Sequence, residues 1–144
     1  MFIYLAAPYW TDNATLRGRR ARDTARLAAR LMEAGFTTFS PISHGVLIAP
    51  YIREGLRDSH DFWIAQDFEL LKHAWALFVY CLEGWQFSSG VTREIEEANR
   101  LRIPIEYISG EADVEVIVAR YSYITDAAAK GIRPGEVAGT RGLD

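Results

Sequence analysis

Two acids in this 144-residue chain sit where acids are seldom placed. In the stretch GWQFSSGVTREIEEA, residues 84–98, two serines and a glycine open a predicted helix, and Glu94 follows Gly90 by four residues. A helix start presents unpaired backbone N–H groups and a partial positive charge, which suit a phosphate or carboxylate. Ser88 and Ser89 add hydroxyls, and Gly90 lets a ligand approach the backbone. The simpler reading makes Ser89 a plain N-cap. A reciprocal capping box needs Glu or Gln three residues after the cap, and Val91 and Thr92 hold those positions. Glu94 is therefore not half of a capping box. It lies three residues after Val91 and four before Ala98, on the flank of the apolar stripe, where the helix dipole is expected to keep it ionised. That is an environment for a nucleophile.

The second acid is Asp67. A helix is predicted from Ser59 to about His73, with its apolar stripe at Trp63, Ile64, Leu71 and Ala74. Asp67 falls on that stripe, four residues from both Trp63 and Leu71. A carboxylate on a buried face needs a partner or a task; an ion pair or a loop cap is the structural alternative. Asp61 and Glu69 fall on the solvated side.

Further candidates for substrate contacts gather at strand and helix ends. They are Tyr4, Pro8 and Tyr9 in and after the first strand, His44 after the second, and Trp85, Ser88, Ser89, Gly90 and Val91 around the helix start. Tyr4, Tyr9 and Trp10 could wall a planar ring, although core packing also suits Tyr4. Arg17 and Arg19 could reach a phosphate, the rest of that arginine series forming a solvated face. His44, His60 and His73 lack ligand spacing, so no metal site is expected, and nothing calls for a cofactor. Cys81, inside the run WALFVYC, is expected in the core.

These residues need strands and helices to bring them together. FIYLA (Phe2 to Ala6) and WALFVYC are apolar throughout, as strands buried on both faces are, and FTTFSP and IPIEYI are shorter strand candidates. Between the first two lies a long helical pattern, with N-cap oxygens at Thr11, Asp12 and Asn13 and a stop at Gly35. The segment HGVLIAPYIREGL, interrupted by Pro50, is ambiguous between loop and helical turn. Alternating strand and helix predicts a single-domain α/β fold, a Rossmann/flavodoxin-like parallel sheet flanked by helices. Ligands of such sheets bind beyond the carboxyl ends of the strands, where the Glu94 helix begins.

The domain is expected to span residues 1–125, with 126–144 a C-terminal tail that could dock on a partner subunit. Val114, Ile117, Val118 and Tyr121 recur at helical spacing. Ile117, Val118, Tyr121 and Tyr123 lie beyond the last strand, where one small core has little cover left for them, which predicts a homodimer or higher homo-oligomer. A net charge of −3 gives no electrostatic footprint for a nucleic acid polymer. One cysteine rules out a disulfide framework within the chain and fits a cytoplasmic location. No apolar run approaches the roughly 20 residues that span a bilayer, and MFIYLAAPYW has the character of a first strand rather than a signal peptide.

Taken in order, FIYLAAP, AQDFELL and SSGVTREIEEA resemble the nucleoside 2-deoxyribosyltransferase-like superfamily, over roughly residues 2–108. That group includes transferases, deoxyribonucleoside 5′-monophosphate N-glycosidases and many uncharacterised bacterial proteins. Its pattern is a tyrosine in the first strand, an aspartate in the helix before the central strand, and a small–x–Gly–x–x–x–Glu helix start; Tyr4, Asp67 and Glu94 fall on these positions. The resemblance implies that Glu94 attacks the anomeric carbon of a nucleoside or nucleotide and that Asp67 handles the proton of the departing base. Ser88 stands where transferases often carry aspartate and the nucleotide-hydrolysing branch has serine, so a 5′-monophosphate is favoured. Glu96 departs from the glycine often found two residues after the nucleophile. Three alternatives stand beside this reading. One is a cytokinin-activating type of nucleotide hydrolase, partly echoed in GVTRE. The others are a nucleotide-binding module without turnover, and a structural protein in which Asp67 and Glu94 belong to a buried polar network.

Overall fold

The computed structural model describes residues 1–129. Four strands, β1 (Ile3–Ala6), β2 (Thr38–Phe39), β3 (Ala76–Tyr80) and β4 (Ile105–Ile108), form one parallel sheet in the order β2-β1-β3-β4. The helices are α1 (Ala14–Glu33), α2 (Pro41–Ile48), α3 (Glu54–Arg57), α4 (His60–Leu71), α5 (Ser89–Arg100) and α6 (Asp113–Ala129). This is the expected single-sheet α/β architecture. The sequence alternation of β1 and β3 explains it: side chains of successive residues leave opposite faces, and both faces are covered. Ile3, Leu5, Phe78 and Tyr80 pack under Leu27, Ala28 and Leu31 of α1 and Val114 and Ile117 of α6. Tyr4, Ala6, Leu77 and Val79 pack under Leu71 near the end of α4 and Val91 and Ala98 of α5.

Local chemistry sets the element ends. Asn13 caps α1, its side chain accepting from the Leu16 N–H, and the chain turns after α1 at Gly35, whose φ of 100° suits glycine. The ambiguous segment resolves into α2, capped by Ser40 with Pro41 opening it, then a 3-10 turn over Ala49–Tyr51, where Pro50 starts a new short helix. Gly45 in α2 meets α4: a Cβ there would stand 3.3 Å from the Trp63 ring.

Helix α6 settles two expectations. It continues to Ala129, four residues past the anticipated boundary at 125, and residues 130–144 of the anticipated tail lie outside the described residues. Ile117 is 3% exposed, and the Tyr121 ring lies 5.3 Å from Trp75 and 6.3 Å from Phe78, centroid to centroid. The Tyr121 hydroxyl also donates to Glu106. Ile117 thus belongs to the chain's own core, and Val118 and Tyr121, partly buried, pack against it. The side chain of Tyr123 lies outside the described residues.

Candidate active site

Helix α5 begins at the carboxyl end of β3 and carries Glu94 inward. Its N-cap is Ser88 rather than Ser89: the Ser88 Oγ accepts from the Val91 N–H at 3.3 Å. Val91, Glu94 and Ala98 are its buried residues, spaced i, i+3, i+7. A glutamate in the middle of that stripe must face the sheet, and there it meets Tyr4 of β1, whose hydroxyl donates to Glu94 Oε1 at 2.5 Å. Glu94 is 5% exposed and Tyr4 fully buried.

Helix α4 repeats the arrangement. Ser59 caps it, and Ile64, Asp67 and Leu71 follow the same i, i+3, i+7 spacing, with Ile64 and Leu71 buried and Asp67 half-buried. Both helices begin at the carboxyl edge and run side by side. His60 Nε2 lies 3.4 Å from Ser89 Oγ at their starts, and Arg93 pairs with Asp61 at 3.1 Å one turn on. Asp67 and Glu94 therefore approach the same space beside Tyr4, close enough for the Asp67 charge to raise the pKa of both other groups.

The electrostatics correct one expectation. Glu94 is not kept ionised by the helix dipole. Burial pushes it up to about 8, Tyr4 donation opposes this, and Asp67 adds to the rise. The reason is position: Glu94 lies beyond the first turn, where the dipole's influence fades, while its desolvation is nearly complete. Burial likewise pushes Asp67 up to about 7, and burial ahead of the two carboxylates raises Tyr4. Among the described residues no basic side chain forms an ion pair with either acid. Two desolvated carboxyl groups without a cation hold a proton between them near neutral pH.

The mouth of the site is held by one of the arginines that the sequence pattern assigns to the solvated face of α1. Arg20 of α1 donates from Nη1 to the carbonyls of Tyr9 (3.4 Å) and Trp10 (3.3 Å) and from Nη2 to that of Glu83 (3.1 Å). It thereby ties the loop after β1 to the loop after β3. A signal for this exists: Arg20, Thr24, Leu27 and Leu31 share one helical face, so Arg20 continues the buried stripe to the sheet's edge. Gly84 accommodates it, having φ 86° and a Cβ position only 3.2 Å from Arg20 Nη2. Arg17 instead lies 5.1 Å over the Trp10 ring and donates to the Thr11 carbonyl, while Arg19 is exposed.

The remaining candidates divide. Pro8 is buried where β1 ends, and Tyr9 is half-buried beside it. Val91 is core, 1% exposed. Trp85 packs with Tyr107, centroids 5.5 Å apart, so it supports the loop from below; Phe87 is 92% exposed. His44 stands in α2 rather than a loop, exposed and 5.5 Å from the Phe39 ring, which in turn contacts Tyr4. At Gly90 a Cβ would meet only ordinary contacts, 3.9 Å from His60 Cε1 and Ser88 Oγ, so the protein itself does not require glycine there. Cys81 lies just past β3, half-buried, with its N–H on the Ile108 carbonyl. Among the described residues no three His, Cys, Asp or Glu side chains group as metal ligands, and no helix is long and apolar enough to cross a membrane.

In the strand order β2-β1-β3-β4 the chain's connections leave β1 and β3 toward opposite sides, and the crevice between their carboxyl ends is the ligand position of doubly wound sheets. Fold and site thus define an α/β protein with a buried tyrosine and glutamate, and a half-buried aspartate, beside its switch point. The chain belongs to the family described as Domain of unknown function (DUF1937), whose model matches residues 1–110 and so takes in every element from β1 to β4. No curated protein matches the chain.

Proposed function

We propose that this protein cleaves or transfers the N-glycosidic bond of a nucleoside or nucleotide, with a 5′-monophosphate substrate favoured. The observation that carries the reading is the buried Tyr4–Glu94 hydrogen bond with Asp67 beside it, at the switch point of the sheet. The resemblance of these three positions to the deoxyribosyltransferase-like pattern supports it. Cleavage of such a bond passes through an oxocarbenium-like state, which a carboxylate on one side and an acid on the other stabilise.

The chemistry needs one proton on the pair; burial keeps one there near neutral pH, mostly on Glu94, and the reactive form is the minor one in which that proton sits on Asp67. With Glu94 ionised and Asp67 protonated, a Glu94 oxygen bonds to C1′ while the C1′–N bond breaks. The electron pair passes to the base, and the Asp67 proton goes to the base nitrogen. Water, or a second base, then attacks C1′; Asp67 takes its proton, and the ester bond to Glu94 breaks. Tyr4 stabilises the glutamate charge before attack and again as the ester bond breaks, by its hydrogen bond. Because the reactive form carries one proton, kcat/KM is expected to peak between the two displaced values, about 7 for Asp67 and about 8 for Glu94.

The test is chromatography of free base released from a panel of nucleosides and their 5′-monophosphates. Release that falls at least about a hundredfold in both Glu94→Gln and Asp67→Asn supports the assignment. Release unaffected by Glu94→Gln refutes it. Binding without turnover has one observation in its favour, the proton that Glu94 retains near neutral pH. Nucleotide binding with no base released at any pH from about 6 to 9, which spans both carboxyl values, would establish that alternative.

A further inference from the structure

Between the loops after β1 and β3 lies a depression of about 360 Å³, whose lining includes Trp10, Phe87, Arg20, Gly84 and Ser88. Trp10 and Phe87 are 74% and 92% exposed, and Arg20 is half-buried. The guanidinium has five N–H donors. Those it uses go to backbone carbonyls, which fix its position and leave its charge uncompensated. Among the described residues Arg20 has no carboxylate partner, although eight ion pairs form elsewhere. Glycine at position 84 leaves this cation uncovered, since a Cβ there would crowd Nη2.

We propose that Arg20 is the anion-recognising residue of this protein, receiving a phosphate group in the depression beside Ser88. The inference rests on the glycosidic reading for its choice of phosphate, and on the Arg20 geometry for its place. Ser88 precedes Glu94 by six residues on α5, which is about 9 Å of helix rise, a separation that a sugar and its 5′-phosphate can bridge. A guanidinium held by neutral carbonyls keeps its full charge for an incoming dianion and needs no ordering when the ligand arrives. Asp12 also lines the depression and opposes an anion. It gives the proposal a second handle, opposite in sign.

The test is titration of inorganic phosphate into the full chain by calorimetry, for the unaltered protein, Arg20→Gln, Asp12→Asn and the exposed control Arg102→Gln. Expected is binding that weakens about tenfold or more in Arg20→Gln, as loss of a charge-assisted contact implies, and is unchanged in Arg102→Gln. Asp12→Asn, which leaves the loop carbonyl contacts in place, is expected to tighten binding and to steepen its loss with added salt, because only the attraction to Arg20 is then left to be screened. Equal affinity of the unaltered protein and Arg20→Gln, an absence of phosphate binding to the unaltered protein, or weaker binding by Asp12→Asn would overturn the proposal. Phosphate binding that depends on Arg20 without release of base from any nucleotide removes the glycosidic reading and leaves the anion site standing. Base release with the same preference for nucleotide over nucleoside in Arg20→Gln does the reverse.

Discussion

Replacing Glu94 by glutamine should make the protein more stable in alkaline solution. Glu94 is raised from 4.5 to about 8, chiefly by burial. Between those values the folded chain holds a proton that the unfolded chain has released, so this group's contribution to stability falls as pH rises through the window. A displacement of that size makes the ionised group cost on the order of 5 kcal/mol above about pH 8. Glutamine carries no charge, and its amide oxygen still accepts from the Tyr4 hydroxyl. At about pH 5 the two proteins should therefore agree within about 1 kcal/mol, since the native glutamate is then protonated. At about pH 9 the variant should be ahead by roughly 3–5 kcal/mol, or about 10 °C in Tm for a chain of this size. Urea denaturation of both proteins across this range measures the difference, and pH effects common to the two cancel. A variant that loses stability throughout, or follows the parent curve in parallel, would refute the reasoning. Loss throughout would also favour the buried-network alternative, because a group kept for chemistry is commonly one whose removal stabilises.

Other perturbations probe the frame around the pair. Gly84→Ala places a side chain at φ 86° against Arg20 and should cost about 1–2 kcal/mol, with faster amide exchange over residues 84–88; unchanged exchange would show that Arg20 does not hold this loop. Ser88→Ala removes the cap of α5 and should lower stability by about 1 kcal/mol in guanidinium denaturation, whereas Ser89→Ala should change it far less. Gly45→Leu drives a side chain into the Trp63 ring and should cost about 1–3 kcal/mol with altered tryptophan fluorescence; a silent variant would mean that α2 and α4 are not in contact.

The strand–helix alternation, the parallel sheet and both inward-facing acids follow from the sequence, because each rests on local periodicity. Apolar runs such as ALFVY must be covered on both faces, and positions 64, 67, 71 and 91, 94, 98 must share a helical face wherever the helix packs. Tyr4 was a candidate because it lies in β1, but its partner could not be read from the chain, being 90 residues away. The charge state of Glu94 was beyond the sequence for a related reason. A helix dipole is local and visible in the pattern, whereas desolvation depends on what several distant segments stack above the carboxyl group. Arg20 shows the same limit most clearly: one arginine among several on α1 becomes the clasp of the mouth only when β1 and β3 pair and bring the Tyr9, Trp10 and Glu83 carbonyls around it. Ile117 and Tyr121 go the other way: the local pattern shows no cover for them, and the formed sheet supplies it, with Phe78 and Trp75 against the Tyr121 ring and Ile117 in the same cluster as Phe78. Periodicity fixes which way a side chain points, and only the assembled fold decides what it meets there.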